Sequence, residues 1–212
     1  MIPDLKTNKG FTLIELMIAI AIGSIVIAGT VMLFHRQIMA NNTQRLMVSM
    51  QQNVRAALSF MERDIRMAAS DPTGKARLDP DFPPPEIQTA NSSELQFTSD
   101  ADATETSTTT KYELIGDNLV RNGQILAPNI DALNFVYLDE DGNTTSDIPD
   151  IRSIQLSIVA RSGDSLPGLF FRRTDSKVYR NRFNEIILAA QNDNFRRMQV
   201  TTEINCRNIG IY

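Results

Sequence analysis

The feature that most constrains this chain is an apolar run near its start. Residues 16–34 contain no charged residue and no proline, and at about 1.5 Å per helical residue they span roughly 28 Å, the thickness of a bilayer's hydrocarbon core. Lys6 and Lys9 precede the run, which predicts a cytoplasmic start for the chain. We expect a membrane anchor in preference to a removed secretory signal, because the run continues past the small-residue site at 19–21.

Glu15 lies beside this run, where an ionised carboxylate costs about 3 kcal/mol or more. The stretch GFTLIE, residues 10–15, follows basic residues and leads directly into the apolar segment. It resembles the cleavage and methylation motif of type IV prepilins and type II secretion pseudopilins. The resemblance implies that a prepilin peptidase/methyltransferase of the membrane cuts between Gly10 and Phe11 and methylates the new Phe11 amine.

Cleavage after Gly10 would create a positively charged amine at Phe11, which could pair with the Glu15 carboxylate. The Phe11 amine of one subunit is expected to pair with Glu15 of a neighbour in the low-dielectric core of a filament, where the attraction is strong. Such a pair would fix the axial register between subunits. The alternative is a glutamate that reaches the membrane surface from an ordinary anchor helix.

An amphipathic helix pattern continues beyond the membrane edge. Apolar residues recur at gaps of three and four, which is one helical stripe: Met47, Met50, Val54, Ala57, Leu58, Met61, Ile65 and Ala68. On the polar face, Glu62 and Arg66 have the spacing of an i, i+4 ion pair. We predict three regions: a leader over 1–10, a helix over 11–69 with a transmembrane segment at 11–34, and a globular head over 70–212.

The head is predicted to be antiparallel β-sheet, which makes the fold class α+β. Residues 70–94 are rich in proline and predict a loop. Alternating or β-branched runs predict strands at 94–98, 111–115, 118–120, 124–126, 132–138, 151–160 and 197–206. In the run at 151–160, one face is predicted to be buried and the other mostly polar. The threonine-rich stretch at 98–110 predicts a mobile hairpin loop, and the helical stripe is expected to cover the sheet.

An acidic stretch follows the strand at 132–138 and offers oxygen ligands that Ca²⁺ prefers. The candidate ligands are Asp139, Asp141, Asn143, Asp147 and Asp150. The spacing departs from an EF-hand, since its glycine comes too early and the twelfth position is not glutamate. We favour a solvated turn between strands and keep a calcium site of another type as the alternative.

Composition argues against most catalytic chemistry. The chain has one histidine, His35, and one cysteine, Cys206, so neither a multi-histidine metal site nor an intrachain disulfide can form. Cys206 is predicted to be a buried apolar residue. A net charge of -4 disfavours nucleic acid as a partner, including in DNA uptake. We predict a protein that is not an enzyme and needs no cofactor; a membrane-anchored enzyme or solute-binding domain is the competing class.

The later segments NIDALNFVYLDEDGN, DIRSIQLSIVARSGD and RRMQVTTEINCRNIGIY resemble PilW-type minor pilins and the related J-type pseudopilins of type II secretion. The resemblance implies a minor type IV pilin that helps to initiate or cap the pilus, with a J-type pseudopilin at the pseudopilus tip as the alternative. Implied partners are other major and minor pilins, the prepilin peptidase and the inner-membrane assembly platform. The implied location is the bacterial inner membrane with a periplasmic head, and the pilus after assembly.

Overall fold

The computed structural model describes residues 10–79, 81–100, 107–163 and 174–209. Its first element is helix α1, Leu13–Arg66, which the sequence predicts over 11–69. The helix tightens at its end, where the N–H of Ala68 donates to the carbonyl of Ile65 at 3.1 Å. Ala69 then takes a left-handed φ of 57°. This reversal ends the helix before the proline and glycine that the sequence suggests as its stop.

The chain divides into two compact units, Met1–Arg45 and Leu46–Tyr212. In the first unit the described part of α1 exposes its apolar side chains: Ile14 is 66% exposed and Ile25 is 73% exposed. The hydroxyl groups of Ser24 and Thr30 donate to carbonyls four residues earlier, at 2.5 and 2.8 Å. Polar atoms are therefore satisfied within the helix, as a lipid environment requires. By length and composition, α1 can cross a membrane.

The second unit contains two antiparallel sheets, a short helix and a two-stranded ribbon. Helix α2 is Lys75–Leu78. The first sheet has the order β1-β2-β3-β4-β5, with strands Ile87–Ala90, Glu94–Ser99, Thr108–Ile115, Asn118–Arg121 and Gln124–Pro128. The second has the order β10-β7-β6, from Arg197–Asn205, Ser153–Arg161 and Ile130–Leu138. The ribbon pairs β8, Tyr179–Arg180, with β9, Ile186–Leu188, and a 3-10 turn lies at Ile148–Asp150.

One apolar cluster joins α1 to both sheets. Its buried members include Val54, Met61 and Ile65 from the helix, Phe97 from β2 and Leu156 from β7. The predicted helical stripe is confirmed from Met50 onward. Its first predicted member is wrong, because Met47 is 38% exposed. The α+β class and the antiparallel head are confirmed, although the strands form two sheets.

Strand β7 corrects the prediction of one buried and one mostly polar face. Residues 153–160 are all buried, because the ribbon β8–β9 covers the face that the sequence leaves to solvent. Tyr179 packs there with Ala132 and Val159. The N–H of Arg182 donates to Oε1 of Gln155 at 3.3 Å, which satisfies the buried amide.

Two predicted loops are also corrected. Residues 70–94 contain both α2 and β1. Helix α2 forms because the carboxylate of Asp71 accepts the N–H groups of Lys75 and Ala76, at 3.1 and 2.9 Å, and so starts a helical turn. The predicted hairpin loop at 98–110 is shorter, since β3 already begins at Thr108. Residues 101–106 of that loop lie outside the described residues.

Candidate functional site

The predicted cleavage site lies directly before α1. Gly10 and Phe11 precede the first helical residue, Leu13. The Phe11 side chain is 93% exposed. Glu15 lies in the first turn of the helix. The peptide bond that the sequence predicts to be cut is therefore in non-helical chain, one helical turn from the acid.

Thr12 and Glu15 form a reciprocal cap at the start of α1. The backbone N–H and the hydroxyl of Thr12 both donate to Oε2 of Glu15 at 2.9 Å. The N–H of Glu15 donates back to the Thr12 hydroxyl oxygen at 3.3 Å. This is a capping box, which satisfies N–H groups that a helix start leaves without partners.

The cap gives Glu15 a role that the sequence analysis missed. The spacing Thr-x-x-Glu before an apolar run was the available signal. A carboxylate at a helix N-terminus also interacts favourably with the helix dipole. Because Thr12 follows Phe11 directly, the cap holds the Glu15 carboxylate against the residue next to the predicted new amine.

The cap leaves the charge of Glu15 uncompensated by a cation. None of the ion pairs among the described residues includes this carboxylate. Two hydrogen bonds reduce the cost of placing an anion in an apolar medium, but the full charge remains. The arrangement can therefore accept a cation from outside this chain, in the position that the capping residues define.

The acidic turn between β6 and β7 does not assemble its candidate calcium ligands. Oδ1 of Asp139 instead accepts the N–H groups of Asp141 and Asn143, at 3.0 and 2.8 Å. Asp147 and Asp150 are exposed. In the described part of the chain, no group of three or more acidic, histidine or cysteine side chains is arranged to hold a metal ion. The five predicted ligands are thus a hydrogen-bonded turn in this structure.

Cys206 follows β10 and is a free, buried thiol. Burial raises the pKa of this thiol to about 12. A thiol with so high a pKa carries almost no thiolate at neutral pH, and thiolate is the reactive form. The placement confirms the prediction of a buried small residue.

Sequence reasoning missed an ionic cluster, which links strands β6 and β10 of the second sheet to the segment that precedes β10. Arg197 is only 2% exposed in its side chain and contacts Asp131 at 2.5 Å and Asp193 at 2.6 Å. Its Nη1 atom lies 3.4 Å from Asp175. Hydrogen bonds from Arg197 lower the pKa of Asp193. Asp193 is only four residues from Arg197, but Asp131 and Asp175 are 66 and 22 residues away, so only the folded chain identifies those two as partners.

Comparisons with known proteins concern two features of the chain, its N-terminal motif and its fold. Residues 5–31 match the family model of the prokaryotic N-terminal methylation motif. A type IV-like pilin from Thermus thermophilus has a similar fold, with a TM-score of 0.52 at 12% identity, over 75% of this chain and 97% of that one. No curated protein matches the sequence. A match to the methylation motif thus opens a chain whose fold is similar to that of a type IV-like pilin.

Proposed function

We propose that this chain is a minor type IV pilin, a structural subunit that helps to initiate or cap pilus assembly. The prepilin peptidase/methyltransferase removes residues 1–10 and methylates Phe11. Glu15 then pairs with the Phe11 amine of a neighbouring subunit. The partners are other major and minor pilins and the assembly platform of the inner membrane.

One observation carries this proposal. The first unit exposes the apolar side chains of α1, and Glu15 at the start of that helix has no cationic partner among the described residues. Glu15 is held by Thr12 within the first helical turn. Filament neighbours would cover the exposed apolar surface and bring an amine to the acid. Two charges that are each costly alone would become a compensated pair.

The likeness of the fold to a type IV-like pilin supports a structural role in place of an enzymatic one. The apolar core of the head is built from helix and sheet side chains, and the ionic cluster around Arg197 joins β6 and β10 to the segment before β10. Both features stabilise the fold. A head with many loops would pack poorly at every position of a fibre, which favours a low-abundance subunit at the start or tip.

The first test is the mass of the mature N-terminus. We expect a chain that begins at Phe11 and carries one methyl group on its amine. Purified membranes and sheared filaments should both contain this form. A different first residue, or an unmodified amine, would contradict the proposal.

The second test separates processing from assembly. Glu15→Ala should still be cleaved after Gly10 but should fail to enter filaments, because the Phe11 amine of its neighbour loses its partner. Glu140→Ala is the control, since it removes an exposed acid of the head that lies outside helix α1. Normal incorporation of Glu15→Ala would refute the pairing role.

A J-type pseudopilin of the type II secretion system is the second candidate. It is favoured by the same three segments, NIDALNFVYLDEDGN, DIRSIQLSIVARSGD and RRMQVTTEINCRNIGIY, which resemble both families. A pseudopilin would stand at the tip of a periplasmic pseudopilus. Deletion of the gene should abolish piliation under the first candidate and secretion of folded exoproteins under the second.

Location follows from the same proposal. Before assembly the subunit would span the inner membrane once, with the head in the periplasm. After assembly it would lie in the extracellular pilus. Protease added to spheroplasts should therefore remove the head while the helix remains in the membrane.

A further inference from the structure

A groove of about 750 Å³ lies in the second unit, between the end of α1 and the strands β2 and β3. This volume is in the range of ligand-binding pockets. Among the described residues, four arginines and two acids line it: Arg63, Arg66, Arg121, Arg207, Glu62 and Asp64. The groove is therefore basic, although the whole chain has a net charge of -4.

Both acids in the groove already have partners. The hydroxyl of Tyr112 and Nε of Arg121 each donate to Oδ2 of Asp64 at 2.7 Å. Glu62 accepts a hydrogen bond from the hydroxyl of Thr202 at 3.2 Å. The predicted ion pair between Glu62 and Arg66 is wrong, because the glutamate contacts β10 instead.

The other three arginines of the groove are left without an anion. Arg63, Arg66 and Arg207 are exposed, and none of them takes part in an ion pair among the described residues. Guanidinium groups bind carboxylates through two parallel hydrogen bonds. Three guanidinium groups around one concave surface suit a ligand with several carboxylates better than a ligand with a single carboxylate.

The walls of the groove are fixed before any partner arrives. The contacts of Asp64 join α1 to β3 and β4. Nδ2 of Asn208 donates to the carbonyls of Arg66 and Ala68, at 3.2 and 3.3 Å, and so holds the segment with Arg207 beside the helix end. A preorganised surface loses less entropy on binding than a mobile one.

The groove also has an apolar part. Phe60 lines it with 55% of its surface exposed, although neighbouring Met61 is fully buried. Met67 is half-buried beside it. Aromatic residues, methionine and arginine are the types enriched at protein interfaces.

We propose that this groove is a docking site for an acidic segment of another protein, with carboxylates on the three arginines and an apolar side chain on Phe60. A polypeptide fits better than a nucleic acid, because the remainder of this acidic chain would repel a long, uniformly charged polymer. A short acidic segment contacts the groove alone. The inference does not depend on pilus assembly, because the groove belongs to the folded head.

The test uses the full chain in neutral detergent micelles and a fluorescein-labelled peptide that is rich in glutamate and contains one leucine. Anisotropy should report saturable binding that weakens as salt rises. Replacing the three arginines together, as Arg63→Gln, Arg66→Gln and Arg207→Gln, should weaken binding about tenfold or more. The matched control is Arg55→Gln, an exposed arginine of the same helix outside the groove, which should change binding less than about twofold.

Two further measurements make the result decisive. Phe60→Ala should weaken binding of the leucine-containing peptide more than that of a peptide with alanine in its place. Circular dichroism should show that every variant is folded, since all the changed side chains are exposed. Absence of binding to the unchanged protein, or an equal loss with Arg55→Gln, would overturn the proposal. Equally strong binding of single-stranded DNA or of phosphatidylglycerol vesicles, with the same sensitivity to the three arginines, would overturn it in favour of a general polyanion site.

Discussion

The two units of this molecule solve the problem of apolar side chains in opposite ways. In Leu46–Tyr212, side chains of helix and sheet bury one another, and Ile65 is 0% exposed. In Met1–Arg45, the described helix exposes its apolar residues, and Ile27 is 65% exposed. A water-soluble fold does not leave such a surface uncovered. We propose that lipid or other subunits cover the first unit, whereas the second covers its apolar side chains with its own chain.

The comparison separates two sources of stability. Burial of apolar surface contributes roughly 25 cal/mol per Å² wherever water is excluded. For the head, that exclusion comes from its own chain. For the first unit it must come from outside, so its contribution changes with the surroundings. Substitutions in the two units should therefore have different readouts.

The largest expected effect comes from removing residues 1–45. The remaining chain should lose all membrane association and stay folded, because its core residues from Met50 onward are retained. Membrane fractionation and thermal denaturation by circular dichroism check the two outcomes. A truncated head that aggregates or lacks a cooperative transition would show that the units are not independent.

Arg197→Met tests a buried cation of the head. The change leaves Asp131, which is 9% exposed in its side chain, without its closest cation. Unfolding free energy should fall by about 3 kcal/mol, the lower end of the range for breaking a buried pair, because Asp131 keeps Arg161 as a second cation at 3.1 Å. Urea denaturation of the folded chain measures the change.

The control for that variant is Arg182→Met. Arg182 pairs with Glu203 at 2.8 Å, but both side chains are substantially exposed, at 63% and 39%. Its loss should cost less than about 1 kcal/mol. Similar losses for the two variants would show that burial does not set the strength of these pairs.

A matched pair of isoleucines compares the units directly. Ile65→Ala should reduce the unfolding free energy of the head by about 2–5 kcal/mol, since it leaves a cavity in the core. Ile27→Ala should change that quantity by no more than about 0.5 kcal/mol in detergent. Urea denaturation of the two variants decides, and a large effect of Ile27→Ala would break the proposed division.

The sequence predicts the fold best where a local pattern carries the information. The helical stripe from Met50 to Ala68 is confirmed because a spacing of three and four residues defines one helix face by itself. Seven of the ten described strands are predicted from alternating or β-branched runs, and their antiparallel pairing is confirmed, whereas β1, β8 and β9 were missed. Each of these features depends on residues that are close together in the chain.

Features that depend on distant partners were missed. The burial of Gln155 requires a ribbon that begins at Tyr179. Arg197 requires carboxylates that lie up to 66 residues away. No periodicity within either segment reports such a contact.

The candidate site shows the same difference. Glu15 was found because its charge is out of place in an apolar run. Its contact with Thr12 is local and could have been predicted from the capping spacing. The pairing with a neighbour's amine involves a second chain, so it stays a prediction.

The smallest expected effect is on the unfolding free energy of the head at alkaline pH. It tests how completely the core excludes water. The thiol of Cys206 has a folded pKa raised to about 12 by burial, against about 8.5 in an unfolded chain. Below the unfolded pKa both states keep the proton and the contribution is fully present. Above it the unfolded chain loses the proton first, so stability falls as the pH rises towards the folded pKa.

At about pH 9.5 this loss amounts to about 1.4 kcal/mol relative to neutral pH. Urea denaturation at both pH values should show it for the unchanged protein and not for Cys206→Ala. The buried tyrosines Tyr112, Tyr137 and Tyr179 also have raised pKa values, but they are shared by both proteins and cancel in the difference. If the unfolding free energy of the unchanged protein and of Cys206→Ala fell equally with pH, water would reach the thiol in the folded head. The contrast between a unit that buries its own apolar side chains and a unit that exposes them would then be weaker at this end of the core.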